Sequence, residues 1–310
     1  MLQQFLGARS APGCHTGTAR AMAMQAYLRA QDTAPDKPAF GLGCTAAIAT
    51  NRNRKGADRC HIAVQSATKT MTIDLILDRK QGREEQEAVC AEAIIHAMAD
   101  MLDIVSQTSL SNQAGIESHE AIRTAPAKWQ ALLAGDAGST GAGRYSGIFP
   151  GSFNPIHDGH RQMLDHAGQM IDGDIALEIS IRNVDKPPLD YLTMTERAEG
   201  VDPLPLVFSN APTFVEKSAL FPGATFIVGM DTIIRIQDTR YYESTTARDE
   251  AIDSIASRGN RFLVFGREVD DRFQVLSDVE LVPALADLCT GVNESAFRAD
   301  LSSTRIRESR

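Results

Sequence analysis

Residues 147–160 read Gly147-Ile148-Phe149-Pro150-Gly151-Ser152-Phe153-Asn154-Pro155-Ile156-His157-Asp158-Gly159-His160. The stretch begins as the end of an apolar strand and continues through a turn rich in Gly, Ser, Asn and Pro. It then delivers two histidines where an amphipathic segment begins. This order of features predicts a strand, a phosphate-binding loop and the start of a helix.

The predicted loop has the properties of an anion site. Gly151 lacks a Cβ, so we expect its backbone to adopt a strained turn and to approach a ligand closely. The first N–H groups of the following helix have no intrahelical acceptor, and the helix dipole places positive charge there. His157 and His160 are three residues apart on one face, so both can donate hydrogen bonds to phosphate oxygens. Gly159, between them, leaves room for a nucleotide.

Two stretches carry a resemblance to a known superfamily. Residues 151–160 resemble the signature of the nucleotidyltransferases with the (His/Thr)-x-Gly-His motif, and the Gly-Ser-Phe-Asn-Pro form is most similar to nicotinate and nicotinamide mononucleotide adenylyltransferases. Residues 301–307, Leu-Ser-Ser-Thr-Arg-Ile-Arg, are similar to the superfamily's closing signature, Ile-Ser-Ser-Thr-x-Ile-Arg. Taken alone, the second stretch is a helix N-terminus with hydroxyl caps. The resemblance implies that it binds the β- and γ-phosphates.

The resemblance also implies roles for individual residues. The catalytic candidates are His157, His160 and Arg307. The nucleotide-binding candidates are Gly151, Ser152, Phe153, Gly159, Gly229, Asp231, Ser303 and Thr304, and Asn154 is a substrate-binding candidate. Lys186 is a second substrate-binding candidate because of its position, in the irregular loop that follows the expected strand Ile175–Ile181. Read from the residues alone, Asp231 also suits a helix N-cap and Lys186 a surface lysine. No metal ligand is expected from the protein, because Mg²⁺ arrives with ATP and is held by phosphates and water.

The chain from Arg144 onward alternates predicted strands and helices, which is typical of a parallel sheet with ligands at the carboxyl ends of its strands. Apolar segments such as Ile175–Ile181 and Arg261–Arg267 are the expected strands. The expected fold class is therefore α/β, a Rossmann-like doubly wound parallel sheet preceded by a smaller, incomplete α/β domain.

The first hundred residues resemble the second half of a CinA-type amidohydrolase domain, the fold of nicotinamide-nucleotide amidases. The similarity rests on Gly41–Thr50, which looks like that family's central strand and ligand loop, and on Cys60–Gln65, which looks like its next strand. Two features depart from the family: a Ser-Cys-Thr-Gly-Gly stretch carrying the catalytic serine is absent, and the Gly/Pro-rich loop is replaced by Ala46–Arg59. We therefore expect no amidase activity.

These patterns predict a partial CinA-like domain over residues 1–104, a linker over 105–144 and a nucleotidyltransferase domain over 145–310. The linker prediction rests on lost periodicity and on a Gly/Ala/Ser-rich end at residues 135–143. A half-domain leaves sheet edges and apolar faces to cover, which favours a homo-oligomer.

The composition of the chain limits the classes of binding partner and the cellular compartment that we expect. The 310 residues are 43% hydrophobic and carry a formal net charge of -9, which argues against a nucleic-acid partner. No apolar run is long enough to span a bilayer, and the N-terminus lacks a signal-peptide pattern. The five cysteines show no Cys-x-x-Cys pairing, so we expect reduced thiols in a cytoplasmic protein.

The resulting functional prediction is the transfer of AMP from ATP to nicotinamide or nicotinate mononucleotide with release of pyrophosphate. Three alternatives stay open at this point. The chain could be a cytidylyltransferase, a phosphopantetheine-type adenylyltransferase of the same superfamily, or a non-catalytic nucleotide-binding scaffold.

Overall fold

Alternating apolar strands and amphipathic helices produce two compact units in a computed structural model of the chain. The structure describes residues 5–6, 13–51, 55–104, 116–141, 144–182, 187–269 and 272–298. The first unit comprises Met1–Ala134 with Arg182–Thr195, and the second comprises Gly135–Ile181 with Glu196–Arg310. The domain limits predicted from the sequence, at residues 104 and 144, are not tested by this division and stay a prediction.

The first unit is built on an antiparallel sheet. Its elements are α1 (Thr16–Thr33), β1 (Phe40–Ala47), β2 (Arg59–Ser66), β3 (Lys69–Ile76), α2 (Arg83–Met101), β4 (Glu117–Thr124) and α3 (Ala127–Ala134). The four strands pair in the order β1-β2-β3-β4. Strands β2 and β3 form an antiparallel hairpin.

Helix α1 lies unusually close to β1, which explains the glycines of that strand. An added Cβ on Gly41 would lie 2.1 Å from the carbonyl oxygen of Ala23, and one on Gly43 would lie 2.1 Å from that of Ala19. Strand β1 is at one end of the described sheet. The expectation that Gly41–Thr50 forms a central strand is therefore wrong, and these glycines serve helix packing within the described residues.

Strand β4 lies inside the stretch interpreted as a linker. It pairs with β3 over its whole length, yet six of its eight residues are exposed. A strand that buries so little has no reason to alternate apolar and polar residues, so its sequence lacks the usual signal.

The segment 182–195 also belongs to this unit. Its Asp190 carboxylate accepts hydrogen bonds from Arg20, the shorter at 2.6 Å.

The second unit contains a parallel sheet. Its strands are β5 (Gly147–Pro150), β6 (Ile175–Ser180), β7 (Leu206–Ser209), β8 (Thr225–Gly229), β9 (Arg261–Phe265), the small hairpin β10 (Arg267–Val269) and β11 (Arg272–Gln274), and β12 (Cys289–Gly291). Its helices are α4 (Asp158–Met170), α5 (Tyr191–Val201, which begins in the first unit), α6 (Phe214–Leu220), α7 (Met230–Gln237), α8 (Thr245–Ser257) and α9 (Pro283–Ala286). Among the described residues, six strands pair in the order β12-β9-β8-β5-β6-β7, all parallel.

Helices cover this sheet on both faces. Ile233 of α7 and Ile252 of α8 pack with Phe226 in one core cluster, whereas His166 of α4 contacts the ring of Phe265 from the other side of the pleat. Strands buried on both faces are almost continuously apolar, as this sequence is. The predicted Rossmann-like α/β fold class is confirmed. Among the described helices, none is long and apolar enough to cross a membrane.

Candidate active site

The order of the strands places a crevice beside β5. The chain runs from β5 outward through β6 and β7 on one side, and then returns to lay β8, β9 and β12 on the other. The switch point is therefore between β5 and β8. In open parallel sheets, ligands bind outside the carboxyl ends of the strands at this point. The loop after β5 and the turn after β8 both open onto it.

The loop after β5 is held by an aromatic cluster. Phe153 adopts a φ of 42°, is 2% exposed, and packs edge-to-face against Phe149 at 5.3 Å and His160 at 5.2 Å between ring centroids. A Cβ on Gly151 would lie 2.7 Å from the Phe153 ring. The expectation of a strained turn at Gly151 is wrong, because the left-handed residue is Phe153. Gly151 is instead required by this ring, and the buried Phe153 can offer a ligand only its backbone.

The two histidines form a stacked pair at the start of α4. His157 is the N-cap residue in an extended conformation, and its backbone N–H donates to Nδ1 of His160 at 3.3 Å. The ring centroids are 3.7 Å apart with an interplanar angle of 29°. Because Nδ1 of His160 accepts a hydrogen bond, the ring proton resides on Nε2, which is then a donor. Nδ1 of His157 is buried and has no partner among the described atoms.

Both imidazoles are neutral near pH 7 in the absence of a ligand. Burial and, to a lesser extent, the neighbouring His157 together lower the pKa of His160 to about 4. Burial also lowers the pKa of His157, against an opposing effect of the Asp158 carboxylate. An arriving polyphosphate would oppose this shift, because a nearby negative charge favours the protonated ring. The pair is therefore able to gain positive charge as phosphate charge approaches or develops.

The turn after β8 brings a second helix N-terminus to the same edge. Gly229 is the N-cap of α7, so Asp231 lies in the first turn of that helix and the alternative N-cap interpretation of Asp231 is wrong. A Cβ on Gly229 would lie 2.8 Å from Oδ1 of Asp231. Oδ2 of Asp231 pairs with the Arg267 guanidinium at 2.8 Å, with both side chains about half exposed. A carboxylate and a guanidinium are thus displayed together beside the crevice.

Some of the remaining predicted site residues lie within the described part of the chain and others lie outside it. Ser152 is exposed in the loop, Asn154 is half-buried there, and Gly159 is buried in the first turn of α4. Lys186, Ser303, Thr304 and Arg307 lie outside the described residues. The described part of the site therefore comprises the loop, the histidine pair and the turn after β8.

A buried ion pair lies beneath the loop and was not predicted from the sequence. Glu178 of β6 and Lys217 of α6 pair at 2.7 Å with side chains 1% and 6% exposed, and Ser209 also donates to Glu178. The backbone carbonyl of Glu178 accepts the N–H of Gly151 at 2.9 Å. An acidic residue inside the apolar run of β6 was the available signal, because such a group needs a buried partner.

Comparison with protein-family models matches residues 148–309, slightly more than half of the chain, to the cytidylyltransferase-like family. The chain belongs to the cytidylyltransferase-like family. The matched range begins in β5 and includes the loop, the histidine pair and the turn after β8, and it extends across the closing Ser303–Arg307 stretch. No curated protein and no solved structure gives a significant match to the chain. The family supports nucleotidyl transfer as the general chemistry of this site.

Proposed function

We propose that the chain transfers AMP from ATP to nicotinamide or nicotinate mononucleotide and releases pyrophosphate. The observation that carries the proposal is the stacked pair His157 and His160, neutral and donor-bearing, at a helix N-terminus on the switch point of the sheet. Such a site attracts phosphate through oriented N–H groups and adds positive charge when phosphate charge develops.

The reaction needs no nucleophilic side chain. A phosphate oxygen of the mononucleotide attacks the α-phosphorus of ATP, a new P–O bond forms, and the bond from that phosphorus to the bridging oxygen of the β-phosphate breaks. Pyrophosphate leaves with the electron pair of the broken bond. The protein contributes placement and charge stabilisation.

The described residues can serve these two tasks. Nε2–H of His160 and the ring of His157 would donate to the α- and β-phosphates, with Ser152 and the first amides of α4 completing the cradle. Gly229 and Asp231 would approach the adenosine, with the carboxylate accepting from a ribose hydroxyl or base amine. In this proposal Ser303, Thr304 and Arg307 hold the departing pyrophosphate.

Mg²⁺ is the expected cofactor, bound to the phosphates of ATP. It neutralises charge on the phosphates when it is bound. The carboxylates near the crevice fit a metal carried by the nucleotide rather than a protein cage, because Asp231 is already paired with Arg267 and Asp158 is exposed at the start of α4.

The choice of acceptor rests on two sequence features. The Gly-Ser-Phe-Asn-Pro form of the loop resembles the pyridine mononucleotide adenylyltransferases, and residues 41–65 resemble part of an amidase domain that acts on the same nucleotide. We retain the CinA-type origin of the first unit as part of this proposal. A net charge of -9 also favours small-molecule substrates over nucleic acid.

CTP is the leading alternative donor, because the family that matches is described as cytidylyltransferase-like. The crevice beside β8 presents Asp231 and Arg267, which can contact either base. Phosphopantetheine stays the alternative acceptor.

Pyrophosphate release by the purified full chain with Mg²⁺ tests the proposal. ATP or CTP is paired in turn with nicotinamide mononucleotide, nicotinate mononucleotide and phosphopantetheine, and the organic product is identified by mass. We expect release with ATP and a pyridine mononucleotide. Turnover only with CTP or only with phosphopantetheine would replace the proposed substrates, and nucleotide binding without any turnover would favour the scaffold.

A further inference from the structure

Three metal-ligating side chains converge in the first unit, independently of the nucleotide site. His96 and Asp100 are four residues apart on α2 and therefore share one face of the helix. Glu120 lies on β4 opposite Ile73 of β3, a residue buried in the core beneath α2. Glu120 is consequently on the sheet face that α2 covers, and the three side chains meet between the end of this helix and the edge strand.

The distances in this cluster are longer than those of good hydrogen bonds and are compatible with a shared metal ion. Nε2 of His96 is 3.4 Å from Oδ2 of Asp100 and 3.9 Å from Oε1 of Glu120, and one ligand atom from each residue lies within 4.8 Å of the other two. Good N–H···O hydrogen bonds are about 2.7–3.2 Å long. Two ligands each about 2.1 Å from a tetrahedral metal ion are about 3.4 Å apart, which matches the shorter distance.

The charges around the cluster favour a cation. Within the described part of the chain, neither Asp100 nor Glu120 forms an ion pair with a lysine or an arginine. Asp100 lies in the last turn of α2, where the helix dipole is negative and no basic residue is present. Two carboxylates are thus brought together, at the negative end of a helix, with an imidazole as their shared partner.

The imidazole of His96 is largely buried and presents one ring nitrogen to the carboxylates. The His96 side chain is 14% exposed, and its Nδ1 atom is buried with no hydrogen-bond partner among the described residues. No hydrogen bond on the Nδ1 side therefore fixes the ring. Its Nε2 atom, which can act as a metal ligand, faces the two carboxylates.

We propose that His96 Nε2, Asp100 and Glu120 bind one divalent transition-metal ion of the Zn²⁺ class. One imidazole and two carboxylates suit Zn²⁺ better than Mg²⁺ or Ca²⁺, which prefer an all-oxygen sphere. Three protein ligands leave the fourth tetrahedral position to water. The ion joins α2 to the edge strand β4 and thereby stabilises the first unit, since a ligand that binds only the folded state raises its stability.

Metal titration of the untagged full chain tests this site. The chain is first stripped with a chelator, and calorimetry with Zn²⁺ alone is performed on wild type, His96→Ala, Asp100→Asn and Glu120→Gln. His119→Ala and Glu117→Gln are the matched controls, because these neighbours of Glu120 are on the opposite face of β4. Circular dichroism checks that each variant is folded. The two carboxylate variants, one at half-buried Asp100 and one at exposed Glu120, keep the test valid if His96→Ala does not fold.

We expect one Zn²⁺ ion to bind per wild-type chain, and we expect millimolar Mg²⁺ to leave this binding unchanged. Each ligand variant should lose more than about 100-fold in affinity, since removing even an outer-shell partner costs about 10–100-fold. The controls should keep wild-type affinity and the thermal stabilisation by Zn²⁺. Absence of binding to the folded wild type, or equal affinity in the ligand variants and the controls, would overturn the site. A Co²⁺ spectrum with thiolate charge-transfer bands would also overturn it, because it would place the metal on cysteines.

Discussion

Replacement of Lys217 by Met tests how the candidate active site is supported. The Lys217 ammonium donates to the two carboxylate oxygens of Glu178 at 2.8 and 2.7 Å, and to the carbonyl of Ala211 at 2.7 Å. The ion pair is almost fully buried. Lys217→Met leaves the Glu178 carboxylate buried without its counter-charge, and breaking a buried pair in this way costs about 3–5 kcal/mol.

The destabilisation should reach the phosphate loop. Glu178 lies opposite Pro150 in the paired strands, and its carbonyl holds the N–H of Gly151. We expect Lys217→Met to lower the free energy of unfolding of the second unit by about 3–5 kcal/mol. For a unit of this size the melting temperature should fall by roughly 10 °C. ATP binding should weaken as well, because β6 no longer positions the loop firmly.

Thermal and urea denaturation followed by circular dichroism measure the effect, and calorimetric titration with ATP measures the binding. Lys37→Met is the matched control, because Lys37 is exposed and its loss should cost no more than about 0.5 kcal/mol. The double variant Glu178→Gln with Lys217→Met should recover at least half of the loss, since both charges are removed together. A cost below about 1 kcal/mol for Lys217→Met, or additive costs in the double variant, would refute the reasoning.

Three further predictions concern the site itself. Gly151→Ala should lower the free energy of unfolding by about 1–3 kcal/mol and weaken ATP binding, because the added Cβ would lie 2.7 Å from the Phe153 ring. Thermal melts measure the stability and calorimetry measures the binding of ATP. Unchanged values would contradict the packing of Gly151 against Phe153. The pKa of His160 is about 4 when folded and near 6.5 when unfolded, so the unfolded chain binds more protons between these values and stability should fall as the pH drops from 6.5 to 4. Because His160 is partly exposed, this loss in the free energy of unfolding is limited to about 2 kcal/mol. Urea denaturation at several pH values should show that the free energy of unfolding falls less steeply with pH in His160→Gln than in wild type. An equal fall in the two proteins would refute this. Asp231→Asn should change the free energy of unfolding by less than about 1 kcal/mol, because its ion pair with Arg267 is half exposed, yet raise the Kd for ATP; an unchanged Kd would remove Asp231 from the site.

Local sequence patterns were sufficient for the parallel sheet and the central loop. Gly151 to His160 is a contiguous stretch whose turn residues and helix start act within a few positions of each other, so the sequence displays the whole motif. Strands β5 to β9 are largely buried, and short apolar runs mark them without reference to their partners, whereas β12 is mostly exposed and shows no such run. The position of the crevice then follows from the strand order.

Features that depend on side-chain orientation or on distant partners were not predictable in the same way. The role of Gly151 depends on where the Phe153 ring points, which the turn residues alone do not determine. Lys217 is 39 residues from Glu178, and only the folded sheet brings them together. The edge strand β4 buries too little to display a period. The close approach of helix α1 to Gly41 and Gly43 depends on where that helix packs, which the sequence of β1 alone does not determine.

The comparison of wild type with His160→Ala in the pyrophosphate-release assay tests the central claim most directly. ATP, Mg²⁺ and a pyridine mononucleotide are supplied, and His166→Ala serves as a histidine control on the same helix, where the ring contacts Phe265 rather than His157. We predict that His160→Ala keeps its fold by circular dichroism and loses about 100-fold or more in kcat, while His166→Ala stays near wild type. A folded His160→Ala variant that retains more than about a tenth of the wild-type rate would contradict a charge-stabilising role for the histidine pair.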